Sequence, residues 1–257
     1  MNLAVIAWNT FREAVRDRVL YNLVFFALLQ IAAAVLVGQV SIGIERLIIV
    51  NLGLSAISAF GVVMATFLGV GLIYKEMERR TLYSVLSKPI ERWQFISGKY
   101  AGLCLTLTVN TFFMTLGLAV ALLYVQRSLY AADFAVLLGA GFILLELYLL
   151  TALALFFSTF ATPMVSTLGA LGLYLVGKFA EDIRAFGQMS ESPALETFTS
   201  TLYLLLPNFS LFDIIGTVAH GRPVPAVLVI ANLWYAALYI TIAVLAAVTV
   251  FSNRNLK

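Results

Sequence analysis

Lys75-Glu-Met-Glu-Arg-Arg-Thr-Leu-Tyr-Ser-Val-Leu-Ser-Lys-Pro-Ile-Glu-Arg-Trp-Gln-Phe-Ile-Ser-Gly-Lys99 holds nine of the chain's twenty-nine charged side chains and lies between two long apolar runs. An α-helix rises about 1.5 Å per residue, so roughly 20 apolar residues cross the hydrocarbon core of a bilayer. The flanking runs, Leu47 to Tyr74 and Ala101 to Gln126, both reach that length. The charged stretch is therefore a loop at one membrane face, and its surplus of Lys and Arg places it in the cytoplasm.

The rest of the chain agrees with lipid as the main solvent. Hydrophobic residues make up 62% and charged residues 11%, whereas soluble domains run at roughly 45–50% and 25%. Six stretches are apolar enough to span: Val19 to Gly38, Leu47 to Tyr74, Ala101 to Gln126, Phe134 to Ser158, Pro163 to Gly177 and Val224 to Phe251. The fifth is short for a span, and the second and sixth are long enough to tilt or to extend beyond the lipid. The reading is an all-α polytopic membrane protein with an N-terminal helix over residues 1–18, a six-helix domain over 19–257, and an outer segment over 178–223.

A cleaved signal peptide is the competing reading of the first run, but signal h-regions are about 7–15 residues long and this run is longer. Its flank also mixes Arg12, Glu13, Arg16, Asp17 and Arg18. With both termini inside, eleven Lys and Arg side chains fall on the cytoplasmic face, against Arg46, Arg127, Lys178, Arg184 and Arg222 outside. The net charge of +3 is thus a matter of topology, and no basic stripe is left over for nucleic acid. The single cysteine, Cys104, excludes a disulfide within the chain and reads as a small buried side chain.

Ahead of the first run, Ala4, Trp8, Phe11 and Val15 recur at helical spacing, with Asn9, Arg12, Glu13 and Arg16 on another side. That pattern describes a helix lying in the membrane interface, or else a cytosolic extension of the first span. Within the loop, Pro89 disfavours helix in the residue before it, so a helix starting near Thr81 stops by Ser87 or Lys88. Pro89 suits the first turn of a second helix, with Ile90, Trp93, Ile96 and Tyr100 leading into the third span. A piece as short as Thr81 to Ser87 is not stable alone. Leu82, Tyr83, Val85 and Leu86, between Arg79, Arg80 and Lys88, either plug a groove on a cytosolic protein or pack on the inner ends of the spans.

The quoted stretch resembles the first cytoplasmic loop of type-2 ABC exporter permeases. Such loops run from an acidic residue through Thr-Leu, two apolar residues, Pro and a basic residue to Gly-Lys before the third span. The chain is also similar to that family in its six spans, in the N-terminal helix ending Phe11-Arg-Glu-Ala-Val-Arg-Asp-Arg18, and in the outer Leu206-Pro-Asn-Phe-Ser-Leu-Phe212. Within it the chain looks nearest to permeases grouped with multi-copper enzyme maturation, a grouping that names no substrate. The resemblance implies a coupling helix over Thr81 to Ser87 that enters an ABC ATPase subunit, with Leu82, Tyr83 and Leu86 as apolar contacts and Arg79, Arg80 and Lys88 at the rim. It implies that Phe11 to Arg18, with Phe11, Arg12 and Arg16, is a connecting helix touching the same subunit. It further implies short outer helices over Ala194 to Leu206 and Leu211 to Ala219, a second permease copy or paralogue as partner, and ATP and Mg held by the ATPase rather than by this chain.

Other chemistries lack their motifs. The Gly-Lys pairs, Gly98-Lys99-Tyr100 and Gly177-Lys178-Phe179, lack the following hydroxyl of a phosphate-binding loop. There is no His-Glu-x-x-His and no Gly-x-Ser-x-Gly elbow. His220, the only histidine, precedes Gly221 in an outer turn, and Asp133 and Asp213 fall outside the spans, which excludes a pair of intramembrane aspartates.

Glu146 sits at the middle of the fourth run, where an ionised acid costs about 2.5–3.5 kcal/mol on insertion scales. It must be neutral or find a partner inside the bundle, and Asn110 in the antiparallel third span is the expected one. The choice lies between an interspan hydrogen bond and a proton or substrate relay. In the second span Gly61, Ala65 and Gly69 repeat every four residues and clear a strip for close helix approach, either within one subunit or at a seam between two. The resemblance implies a path between paired subunits, for which Asn51, Ser55, Ser58 and Thr66 are the polar candidates. The expected protein is a multi-pass permease subunit of an ATP-driven exporter in the inner (plasma) membrane, with both termini cytoplasmic. A membrane scaffold that docks cytosolic partners and an ion-coupled carrier using Glu146 are the rivals.

Overall fold

A computed structural model describes residues 3–16, 25–26, 29–30, 32–33, 36–37, 43–78, 91–127, 131–190 and 192–253. The helices are α1 (Leu3–Ala14), α2 (Glu45–Glu78), α3 (Arg92–Gln126), α4 (Ala135–Ser158), α5 (Pro163–Lys178), α6 (Ala180–Met189), α7 (Pro193–Leu205), α8 (Ile215–Ala219) and α9 (Ala226–Asn253), with 3-10 turns at Ala131–Phe134 and Ser210–Phe212. No strand occurs among the described residues. Four helices, α2, α3, α4 and α9, are long and apolar enough to cross a bilayer. Two further candidates are bent pairs: α5 with α6 at 54°, and α7 with the segment ending at Ala219 at 60°. The chain is a multi-pass, all-α membrane protein.

α4 is the most buried of the four long helices and α9 the least. Small residues decide how closely the others approach α4. A Cβ on Gly61 would lie 2.4 Å from Leu147 Cδ1, and one on Gly69 would lie 2.8 Å from Ala154 Cβ. Ala65 between them is fully buried. The Gly61/Ala65/Gly69 strip therefore packs α2 on α4 within one chain, the first of its two expected uses. Hydroxyls in these helices are satisfied locally, as where Thr66, Thr106, Thr115 and Thr151 each donate to the carbonyl four residues earlier at 2.7–2.9 Å. With no water in the hydrocarbon, such back-bonding is the nearest satisfaction available.

Most of the expected first span lies outside the described residues. The described part packs on α2: the Phe26 and Phe60 rings are 4.8 Å apart, and Gln30 Nε2 donates to Gly53 O at 3.2 Å.

α1 lies along the first turns of α3. Its contact stripe is Ile6, Thr10 and Ala14, all buried, and the receiving groove is made by two glycines. A Cβ on Gly98 would lie 2.8 Å from Ile6 Cβ, and one on Gly102 would lie 2.5 Å from both Ala7 O and Thr10 Cβ. Trp8, 54% exposed, remains with Ala4 on the side of α1 turned away from α3.

α3 starts later than the proline pattern predicts. Glu91 is extended, with φ −69° and ψ 141°, and the helix begins at Arg92. Glu91 is the N-cap, where extended backbone is usual, with its carbonyl accepting from Gln94 N and Phe95 N and its carboxylate accepting from Trp93 Nε1. Arg92 then donates to Phe251 O at 3.2 Å and Ser252 O at 2.5 Å, satisfying carbonyls at the end of α9. This is where a cation is favoured by the helix dipole.

Candidate functional site

Two regions carry the polar chemistry: the end of the bundle that bears the charged loop and a charged cluster inside the bundle. At the first of these, the predicted coupling residues Arg79, Arg80, Thr81, Leu82, Tyr83, Leu86 and Lys88 lie outside the described residues. What is described is their frame. α2 continues to Glu78, and α3 resumes at Arg92, with α1 fastened to it. Arg12 and Arg16 are exposed, and the Phe11 ring lies 5.4 Å from Trp8. Lys99 is buried against α1, with Nζ 3.5 Å from Glu13 Oε2 and 5.8 Å from the centre of the Phe95 ring.

The charged cluster forms where α5 ends. Thr162 in extended conformation and Pro163 in the first turn start the helix, and Ser166, Ala170, Tyr174 and Gly177 make its buried stripe. Ser166 and Ala170 keep that stripe small along the helix, and Gly177 admits the outer segment, since a Cβ there would lie 2.2 Å from Pro207 O. The C-terminal turn delivers Tyr174 and Lys178 to Glu146, which is 1% exposed. Lys178 Nζ is 3.0 Å from Glu146 Oε1, and the Tyr174 hydroxyl donates to the same oxygen at 3.1 Å. Ser58 Oγ donates to Oε2 at 3.4 Å. Lys178 also reaches Asp213 Oδ2 at 3.1 Å; its side chain is 21% exposed and that of Asp213 is 42% exposed. Glu146 is eleven residues from the start of α4 and twelve from its end, about 16–18 Å from either. A chain of charges thus runs from mid-helix depth to an accessible carboxylate.

The expected partner of Glu146 is corrected by this geometry. Asn110 donates instead to Met64 Sδ at 3.2 Å. A carboxylate out of water gains far more from an ammonium and a phenol than from a neutral amide, and the approach of α5 supplies both.

The outer segment is pinned to the same place. Phe209 N donates to Gly177 O at 3.0 Å, and the Tyr174 and Phe209 rings meet edge to face at 5.1 Å. Tyr235 on α9 accepts from Asn208 N through its hydroxyl at 2.7 Å. Elsewhere at that end of the bundle, Arg46 ties α2 to Asp133 at 2.8 Å and to Ala219 O at 2.9 Å. The outer helices expected over Ala194 to Leu206 and Leu211 to Ala219 correspond to α7 and to the 3-10 turn with α8; α6 is an addition to them.

The four path candidates divide. Asn51 and Ser55 are exposed and share a 3.4 Å hydrogen bond. Ser58 is buried beside Glu146, and Thr66 is fully buried on its own helix carbonyl. Those last two line no open surface of the chain.

Sequence reasoning misses Lys178 and Tyr174 as partners of Glu146, Asp213 as the second partner of Lys178, and Gln30 altogether. A signal exists for Gln30, which with Asn22 is one of two amides within its apolar run and the one nearer its middle. None exists for the others without knowing that α5 ends at the level of Glu146. Among the described residues no group of three or more His, Cys, Asp or Glu side chains could hold a metal ion.

No curated protein matches the chain. Residues 4–256 match the family described as ABC-2 family transporter protein, a span that takes in α1, the charged loop, the bent outer pairs and α9. The chain belongs to the ABC-2 family of transporter proteins, as a membrane permease subunit of an ABC transporter.

Proposed function

We propose that this permease works as an exporter in the plasma membrane, as a pair of membrane subunits driven by separate ATPase subunits that hold ATP and Mg. The observation that carries the reading is the family match across nearly the whole chain, joined to the charged loop at its most specific point. In this reading Thr81 to Ser87 enters the ATPase through Leu82, Tyr83 and Leu86, with Arg79, Arg80 and Lys88 at the rim. Phe11, Arg12 and Arg16 add a second contact. Nucleotide-driven movement of the ATPases shifts the loop, and the helices on either side of it pass the shift to the path between the two permease copies. The firm seat of α1 on α3 supports this, because two contact points on one helical body move together.

The test is copurification. Wild-type chain brings down an ATPase whose turnover changes on reconstitution, whereas Leu82→Asp and Leu86→Asp each lower that association at least tenfold without changing the yield of folded permease. Intact association in both variants would overturn the docking mode. Transport that needs a proton gradient and no ATP would favour a carrier using Glu146.

A further inference from the structure

We infer that the cavity between the first apolar run, α2 and α3 binds a small neutral amphiphile that carries one O–H or N–H donor on an otherwise apolar body. The cavity has a volume of about 200 Å³ and is half-open. Among the described residues its walls include Phe26, Leu52, Ala56 and Leu118, and Gln30 is the one polar side chain lining it. Gln30 is 7% exposed. Its Nε2 donates to Gly53 O at 3.2 Å, which fixes the amide orientation, since the flipped amide would set two oxygens against each other. That leaves Gln30 Oε1 buried, with no hydrogen-bond partner among the described residues.

An amide oxygen removed from water and left without a donor destabilises the fold by more than a typical hydrogen bond contributes. The site therefore selects a donor. Water fits it poorly, because a buried water needs about two to four polar partners, and these walls offer the Gln30 oxygen set in hydrocarbon. A carboxylate, phosphate or ammonium fits worse, since no charged side chain among the described lining residues would compensate its desolvation. An alcohol or a secondary amide satisfies the oxygen and places carbon against carbon elsewhere. A dry cavity of about 150 Å³ accepts benzene, so this one holds roughly eight non-hydrogen atoms, with any longer tail leaving through the open side. Nothing in the site requires the ATPase, so binding is separable from transport.

The experiment uses the full chain in nanodiscs of phosphatidylcholine, a lipid without an O–H or N–H donor. A diazirine-bearing hexanol is the probe, its methyl ether is the donorless control, and labelled peptides are mapped by mass spectrometry. Saturable labelling of peptides containing Ala33, Leu52 and Leu118 is expected, with the alcohol ahead of the ether by about five-fold, the weight of one neutral hydrogen bond. Gln30→Leu, eluting as the wild type does, lowers the alcohol to the level of the ether. Ala33→Phe, which fills the cavity, lowers both. Equal labelling by the two probes overturns the inference, as does labelling indifferent to Gln30→Leu or to Ala33→Phe, or unsaturable labelling of every lipid-facing helix. Failure of the exporter reading would appear separately, as absence of a copurifying ATPase with this labelling unchanged.

Discussion

Glu146 is held by one ammonium and two hydroxyls, and the partners are unequal in what their loss leaves behind. Lys178→Met strands a carboxylate that is 1% exposed, with only Ser58 and Tyr174 to solvate it. We expect a loss of about 2–3 kcal/mol in the stability of purified protein, somewhat below the ~3–5 kcal/mol of a fully buried pair because the Lys178 side chain is 21% exposed. Glu146→Gln leaves Lys178 with Asp213 at 3.1 Å and costs less, with assembly and transport retained. The double variant recovers most of the Lys178→Met loss, because it removes both charges together. Thermal unfolding in detergent checks the order, and loss of transport by a normally assembled Glu146→Gln protein would give the carboxylate a part in transport beyond pairing. The need for a partner is legible from Glu146 alone, since any ionised group in hydrocarbon must be compensated. Its identity is not legible, for Lys178 is thirty-two residues away and reads as an outer-loop cation until the end of α5 is located.

At the level of elements, periodicity and length find the helices, while glycines find their contacts. α2, α3, α4, α5 and α9 follow the apolar runs closely, because a run long enough for the hydrocarbon has no other way to satisfy its backbone. The helix starts are less legible. α3 opens at Arg92 and not at Pro89, with Glu91 extended as its N-cap, a boundary that proline statistics do not contain. The Gly61/Ala65/Gly69 strip is readable as a contact surface, but its partner α4 is not. Gly98 and Gly102, four residues apart, form the same signal at the mouth of the third span, and there they seat α1. Gly102→Ala places a methyl group 2.5 Å from the Ala7 carbonyl oxygen, backbone that has no rotamer to retreat into. We expect it to lift α1, at a cost of about 1–3 kcal/mol as for other overpacked sites, and to speed tryptic cleavage after Arg12 and Arg16. Gly71→Ala on α2, where no described atom lies within 4 Å, is the control. It should be neutral or stabilising by about 0.5–1 kcal/mol, as alanine is favoured over glycine within helices.

For the molecule as a whole, the orientation in the membrane is the first quantity to measure. The Lys/Arg count predicts a cytoplasmic charged loop, and the chain's single cysteine makes the test simple. In a Cys104→Ser background, Lys88→Cys should react with an impermeant maleimide in inside-out vesicles and stay silent in intact cells. Met189→Cys, at the 86% exposed end of α6, should behave in the opposite way. Labelling of Lys88→Cys from outside would invert the molecule and with it the proposed machine.

α3 extends over 35 residues, about 52 Å, against roughly 30 Å of hydrocarbon. About 20 Å of it therefore stands clear of the hydrocarbon core, and in the proposed exporter the helix is a lever pivoting at the membrane surface. α1 is clamped to one arm of this lever, and the charged loop is hinged to the same arm. A push at either point turns the one rod, and a tilt of about 5° carries its far end, about 30 Å from the pivot, about 3 Å sideways. In the proposed exporter the two handles therefore share one rod and move together.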